Sequence, residues 1–240
     1  MTRALAILLL CLLALPAGPA SAAGLGLPPF EASYRLTLDH IPIGRSRARL
    51  LPAEDGRYRY LSDTWPTGLM AWVRKDRLHE ESLFIPWQGG VRPLSYRFDR
   101  TGGRKVRHAR LSFDWKGMRV TNRVQGRPWK MAIPPGTLDK NLVRLAVMLD
   151  LARGRKTLAY AIADGGKLKH YRFAVVGRAR IHTPAGDYDT LKLKRLRKDR
   201  DRDTWFWCAP ALHYLPVRIL QIENEDHVRY ESLLESLRMP

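Results

Sequence analysis

Short segments of alternating apolar and polar residues, separated by glycine-bearing turns, recur along nearly the whole chain and commit it to an antiparallel sheet. FEASYRLTL (30–38) has the period of two expected of a half-buried strand, and IGRSRARLL follows a turn at His40 to Pro42. Further turns precede further strands: Glu54-Asp55-Gly56 before RYRYLS, Arg100 to Gly103 before RKVRHARLSF, Lys116-Gly117 before MRVTNRV, and Asp164-Gly165-Gly166 before KLKHYRFAVV. Glycine reaches positive φ without steric cost, which tight hairpins require. Tyr171, Phe173 and Val175 share one strand face opposite Arg172; Leu111, Phe113 and Trp115 oppose Arg110, Ser112 and Asp114. One dry and one wet face per strand is the pattern of a curved antiparallel sheet or an incomplete β-barrel.

One segment departs from the period of two. In GTLDKNLVRLAVMLDLARG, Leu138, Leu142, Leu145 and Leu149 recur at helical spacing, with Val143, Val147 and Leu151 widening the stripe. Thr137 is read as the N-cap, Asp139 as a carboxylate at the positive end of the helix dipole, and Arg153-Gly154 as the stop. So apolar a helix must be buried, and the concave face of the sheet is its expected partner. The fold expected is therefore mainly β: a half-barrel, similar to the envelope's lipoprotein carriers, with one principal apolar helix on its concave face.

The N-terminus carries Thr2 and Arg3, an apolar run from Ala4 to Leu15, Pro16 and Gly18, then Ala20-Ser21-Ala22. A charged start, short apolar core and small-x-small site predict a secretory signal peptide over 1–22, cleaved after Ala22, ahead of a single β-rich domain over 23–240 in the periplasm. The run is too short to span a bilayer. Cys11 follows Leu10 inside that run, which is not the setting of a lipidated cysteine. Only Cys208 would remain, so no intrachain disulfide is available and an apolar core must supply stability. The chain bears a net charge of +19 with 31 arginines against 11 lysines. An exported basic protein meets phospholipid head groups, lipopolysaccharide and acidic glycans, although charge runs are also ordinary solvated faces.

Chemical motifs are sparse. The histidines at 40, 79, 108, 170, 182, 213 and 227 show no metal-ligand spacing, and no glycine-rich phosphate loop or G-x-S-x-G elbow occurs. No catalytic residue, metal or cofactor is therefore assigned. Cys208, five residues before His213, reads as a small buried hydrophobe rather than a nucleophile. Glu80, Glu81, Asp187, Asp189, Glu223 and Glu225 are carboxylates that glycan chemistry would pair in space. In TWFWCAP a strand puts Trp205 and Trp207 on one face and Phe206 and Cys208 on the other, and Pro210 ends it; these aromatics are read mostly as core and in part as the wall of a cavity. The sign-alternating run Lys198 to Asp203 reads as a solvated hairpin tip.

Three stretches, TPAGDYDTLKL (183–193), TWFWCAP (204–210) and YLPVRI (214–219), with TLDKNLVRLAVML before them, resemble the exported bacterial family called domain of unknown function 3108. The resemblance spans about Phe30 to Leu237. It implies a periplasmic location and no established activity, so no site residues follow from it.

The function expected from the residues is a non-enzymatic binding or carrier protein for an amphiphilic or anionic envelope ligand, such as an anionic lipid or lipid-linked molecule. Trp65, Trp72, Trp205, Trp207 and Tyr214 would line an apolar cavity, with Leu142 and Leu145 on the helix that lids it. Arg195 and Arg218 at the rim would hold an anionic head group. Two alternatives stand beside it: a lyase or hydrolase acting on an acidic envelope glycan, and a scaffold binding another protein through a sheet edge.

Overall fold

The computed structural model describes residues 24–103, 105–197 and 201–240; the signal peptide expected over 1–22 and the first half of the charged run, 198–200, lie outside the described residues. Strands β1 (Phe30–Leu38), β2 (Ile41–Pro52), β3 (Tyr58–Pro66), β4 (Arg77–Trp87), β5 (Gly90–Thr101), β6 (Arg107–Asp114), β7 (Arg119–Val124) and β8 (Arg127–Ala132) form one meander, with the short helix α1 (Met70–Val73) between β3 and β4. After β9 (Leu138–Asp139) and helix α2 (Val143–Ala152), a second meander runs through β10 (Thr157–Asp164), β11 (Lys167–Thr183), β12 (Gly186–Leu196), β13 (Arg202–Ala209), β14 (Leu215–Glu223) and β15 (Arg229–Arg238). Antiparallel pairing of β1 with β15 joins the meanders into one open sheet with β8 and β9 at its edges. The chain is mainly β, as the alternation demanded.

Turns fall where local chemistry puts them. Gly56, Gly102, Gly165 and Gly166 all have positive φ. Two hairpins beyond those read from the sequence, at Gln88-Gly89 and Gln125-Gly126, have both central residues at positive φ, the backbone of the twisted two-residue turn. Trp205 and Trp207 do oppose Phe206 and Cys208, since Trp207 pairs with Lys192 and Arg218 while Phe206 pairs with Leu193 and Ile219.

The helix begins later than its apolar spacing implied. Leu138 and Asp139 form β9, which pairs in parallel with Ile162 and Ala163 of β10. Thr137 does not cap the helix; its hydroxyl donates to the Pro134 carbonyl. Asp139 instead closes the turn that leads into the helix, its Oδ1 accepting from the backbone N–H groups of Asn141 (2.9 Å) and Leu142 (3.0 Å), while the helix's own N-cap position, Leu142, makes no side-chain cap bond. The stop is as read: Gly154 has φ of 75° and its N–H donates to Leu151.

Buried residues of α2, among them Leu145, Met148 and Leu151, share one cluster with Phe30, Ala32, Tyr34, Leu50, Tyr60 and Phe84 of β1 to β4, and with Phe173, Leu193, Phe206 and Ile219 of the second meander. These residues define the core face of the sheet. The helix is buried around most of its circumference; Arg144, near its start, is half-buried and Ala152, at its end, is exposed.

Candidate functional site

Cross-strand register stacks the core face of β1 to β5 in rows. Ala32, Ala48, Ser62, Glu80 and Phe98 are successive partners in one row; Tyr34, Ser46, Thr64, Leu78 and Arg100 form the next; Leu36, Gly44 and Pro66 the one after. The first row lies beneath the start of α2 and is polar at its centre. The last lies nearer the sheet end that carries the β1–β2 and β3–β4 connections.

The polar centre is organised by Asp139-Lys140-Asn141. Asn141 donates through Nδ2 to the Tyr60 carbonyl (2.9 Å) and to Ser82 Oγ (3.2 Å), and its Oδ1 accepts from Ser62 Oγ (2.9 Å). Ser82 Oγ also donates to Asp139 Oδ1 (2.9 Å). These bonds fasten the start of α2 to β3 and β4. Lys140 Nζ lies 3.3 Å from Glu80 Oε2, which also accepts from the Tyr96 hydroxyl (2.7 Å). Burial and Glu80 push the Tyr96 pKa strongly upward, so that phenol stays protonated.

Burial raises the Asp139 carboxyl to about 7, against the three hydrogen bonds that favour its charged form. The folded protein therefore holds a proton that the unfolded chain releases between about pH 4 and 7. Stability from this group falls as pH rises through that window and levels off above 7, at roughly 1.4 kcal/mol per pH unit where the two states differ by a full proton. Asp139→Asn is expected to flatten this component; urea midpoints of both proteins across the window measure it, and parallel curves would contradict the buried proton.

Beside this network, Ser46, Ser62, Thr64, Glu80, Lys140, Asn141 and Arg144 enclose a small polar recess of about 120 Å³. Arg144 lies near enough to Tyr60 to hydrogen-bond its hydroxyl, and its charge acts on Tyr34 as well; burial nonetheless holds both phenols well above their usual pKa. Among the described residues no carboxylate lies within ion-pair distance of Arg144. One row further on, Leu36, Leu38, Ile43, Met70, Leu78 and Tyr230 line a groove of about 370 Å³, and Thr64 borders both spaces. A β-bulge at Ile43 turns that side chain toward the groove, and Gly44 allows the β2 and β3 backbones to close up there: a Cβ would meet the Trp65 carbonyl oxygen at 2.5 Å. The two spaces meet at Thr64: the inner one is polar and cationic, and the outer one is mostly apolar with Arg74, Asp76 and Arg100 also in its lining.

The residues singled out from the sequence do not converge on one cavity. Trp65 borders the groove, with the Arg47 guanidinium 5.7 Å from its ring centroid. Trp72 stands in solvent on α1 at 86% exposure, so it lines no enclosed space. Leu142 and Leu145 are fully buried packing residues rather than a lid over a void. Trp205 and Trp207 alternate with Phe206 along β13, yet Trp207 is buried in the core cluster and Trp205 packs against it; cations cover their rings, Lys192 and Lys194 at 4.4 and 4.6 Å from the Trp205 centroid and Arg218 at 4.6 Å from that of Trp207. Arg218 pairs with Glu231 at 2.6 Å, and Arg195 sits 3.5 Å over the Tyr171 ring. Tyr214 borders a separate cleft with Arg178 and Arg180. Arg144, Lys140, Leu36, Leu38 and Met70 were missed. The only sequence signal for Arg144 was a cation inside an otherwise apolar helical stripe.

The groups considered for catalysis are dispersed too. Cys208 is fully buried and its thiol pKa is pushed far up by desolvation. Glu80 serves Lys140 and Tyr96, whereas Glu81 faces Arg59, Asp187 and Asp189 face Arg180, and Glu223 faces Arg202.

The family model described as a protein of unknown function, DUF3108, matches residues 30–231. No curated protein matches the chain. A solved β-barrel-like protein of the domain of unknown function DUF1849 from Brucella abortus is similar with a TM-score of 0.60 at 10% identity, over 89% of this chain and 98% of that one, which is a likeness of fold alone. A candidate lipoprotein from Parabacteroides distasonis (TM-score 0.35, 12% identity, 89% and 98% covered) and a candidate exported protein with a YmcC-like fold from Bacteroides fragilis (TM-score 0.33, 12% identity, 88% and 98% covered) are more distant and carry no argument.

Proposed function

The chain belongs to the DUF3108 family of proteins of unknown function, and from its own geometry we propose that it is a non-enzymatic binding or carrier protein for an amphiphile with an anionic head. In this reading the open sheet is a half-barrel wrapped on α2, the leader over 1–22 exports the protein to the periplasm, and the ligand is an anionic lipid or lipid-linked envelope molecule. The observation that carries it is the juxtaposition of Arg144, without a carboxylate partner among the described residues, with an apolar groove one strand row away. A partly desolvated guanidinium is a strong bidentate partner for phosphate or carboxylate, and the groove offers apolar surface to the chain attached to it. Its volume falls within the roughly 300–1,000 Å³ typical of small-molecule sites.

Native mass spectrometry of protein purified from the periplasm is expected to find a bound mass that disappears on denaturation and extracts as an acidic amphiphile. A bare protein mass that stays bare after incubation with dodecyl phosphate overturns the reading.

A further inference from the structure

Apolar exposure is concentrated at one end of this sheet. Because neighbouring strands are antiparallel, the β1–β2, β3–β4, β5–β6 and β14–β15 connections all emerge at the same end, and the Asp39 N–H bonds the Arg229 carbonyl across it. There stand Leu69 (87% exposed) at the N-cap of α1 and Trp72 (86%) and Val73 (79%) on it, together with Ile41, Val106 and Tyr230. Of the described residues at the opposite end, Leu51 and Trp87 are each only 39% exposed, and Trp87 is covered by Arg92 at 3.1 Å. Solvent-exposed tryptophan and leucine on a single turn of helix bury nothing within the chain, and such contiguous apolar exposure marks an interaction surface.

The surrounding charge identifies the partner. Arg74, Lys75 and Lys105 line the cleft beside Val73, and none of the three has a carboxylate within ion-pair distance among the described residues; Asp76, the acid in that cleft, is held by Arg100 at 2.7 Å. Gly102 and Gly103 bring the β5–β6 connection against Lys75 and Asp76, so the cations of both connections form one surface. Exposed tryptophan and leucine projecting between unpaired lysines and arginines are the composition of a bilayer interface, where the ring sits among head groups and the cations meet anionic phosphates.

We propose that α1 and the connections beside it form a membrane-docking end that seats the protein on an anionic phospholipid bilayer. Met70 and Arg74 belong to this end and also line the apolar groove. Docking would therefore bring the groove's mouth to the lipid surface, although the surface itself stands without the binding reading above.

Co-sedimentation of the purified protein with vesicles of phosphatidylcholine and phosphatidylglycerol, against phosphatidylcholine alone, tests this. Binding is expected to the anionic vesicles and to weaken with salt. Leu69→Ser with Trp72→Ser, and separately Arg74→Glu with Lys75→Glu, should each weaken it by about fivefold or more. Arg178→Glu with Arg180→Glu, an equal charge change elsewhere, should leave it near wild type. The α1 side chains are exposed, so the variants should keep the wild-type circular dichroism. No binding of wild type to anionic vesicles, or α1 variants that bind as wild type does, overturns the proposal; capture of a protein partner through α1 without vesicle binding overturns it as well. Arg144→Gln is expected to sediment like wild type, which separates failure of this surface from failure of the groove.

Discussion

Arg144→Gln is expected to weaken binding of dodecyl phosphate by roughly tenfold to a hundredfold, the worth of a charge-assisted hydrogen bond made in a partly desolvated recess. Arg144 lines that recess with Ser62, Thr64 and Lys140 and has no carboxylate within ion-pair distance among the described residues, so stability should change by less than about 1 kcal/mol. The amide keeps a donor for the Tyr60 hydroxyl. Arg218→Gln removes a guanidinium already paired to Glu231 on the opposite face and is expected to leave binding unchanged. Isothermal titration with wild type and both variants reads the difference. Equal affinities for wild type and Arg144→Gln would remove Arg144 from the site.

The second large effect is on stability. Asn141→Leu keeps the side chain's approximate size but removes three hydrogen bonds at once, those to the Tyr60 carbonyl, Ser82 Oγ and Ser62 Oγ. A buried polar group deprived of its partner costs about 1–3 kcal/mol, and Asn141 leaves more than one such group behind. A loss of about 3–5 kcal/mol is therefore expected, read as a lower urea midpoint at constant slope. Ser62→Ala, which removes one of the three bonds, should cost about 1 kcal/mol. A change of less than 1 kcal/mol in Asn141→Leu would mean that these bonds do not hold α2 to β3 and β4.

What the sequence revealed and what it hid follow from the range of each interaction. The opposition of Trp205 to Phe206 is a property of extended backbone, and the helix stop at Gly154 is a property of one residue's φ, so both could be read locally. Alternation could not say which face would be the core. Leu193 and Ile219 on the neighbouring strands place Phe206 in the core, yet Trp207 is buried in the same cluster and Trp205 packs against it, with Lys192, Lys194 and Arg218 over their rings. Leu138 fitted the helical stripe equally well as a strand residue, and only its pairing with Ile162 decides the matter. Arg144 acquires meaning from Ser62 and Thr64, some eighty residues earlier, through a register that local periodicity does not encode.

The position of the ligand itself tests the account most directly. A crystal structure of the protein with an ω-bromoalkyl phosphate is predicted to show the phosphate within hydrogen-bond reach of Arg144 and the anomalous bromine signal in the groove, among Leu36, Met70 and Tyr230. Phosphate bound only to surface arginines, with no bromine signal in the groove, would contradict it.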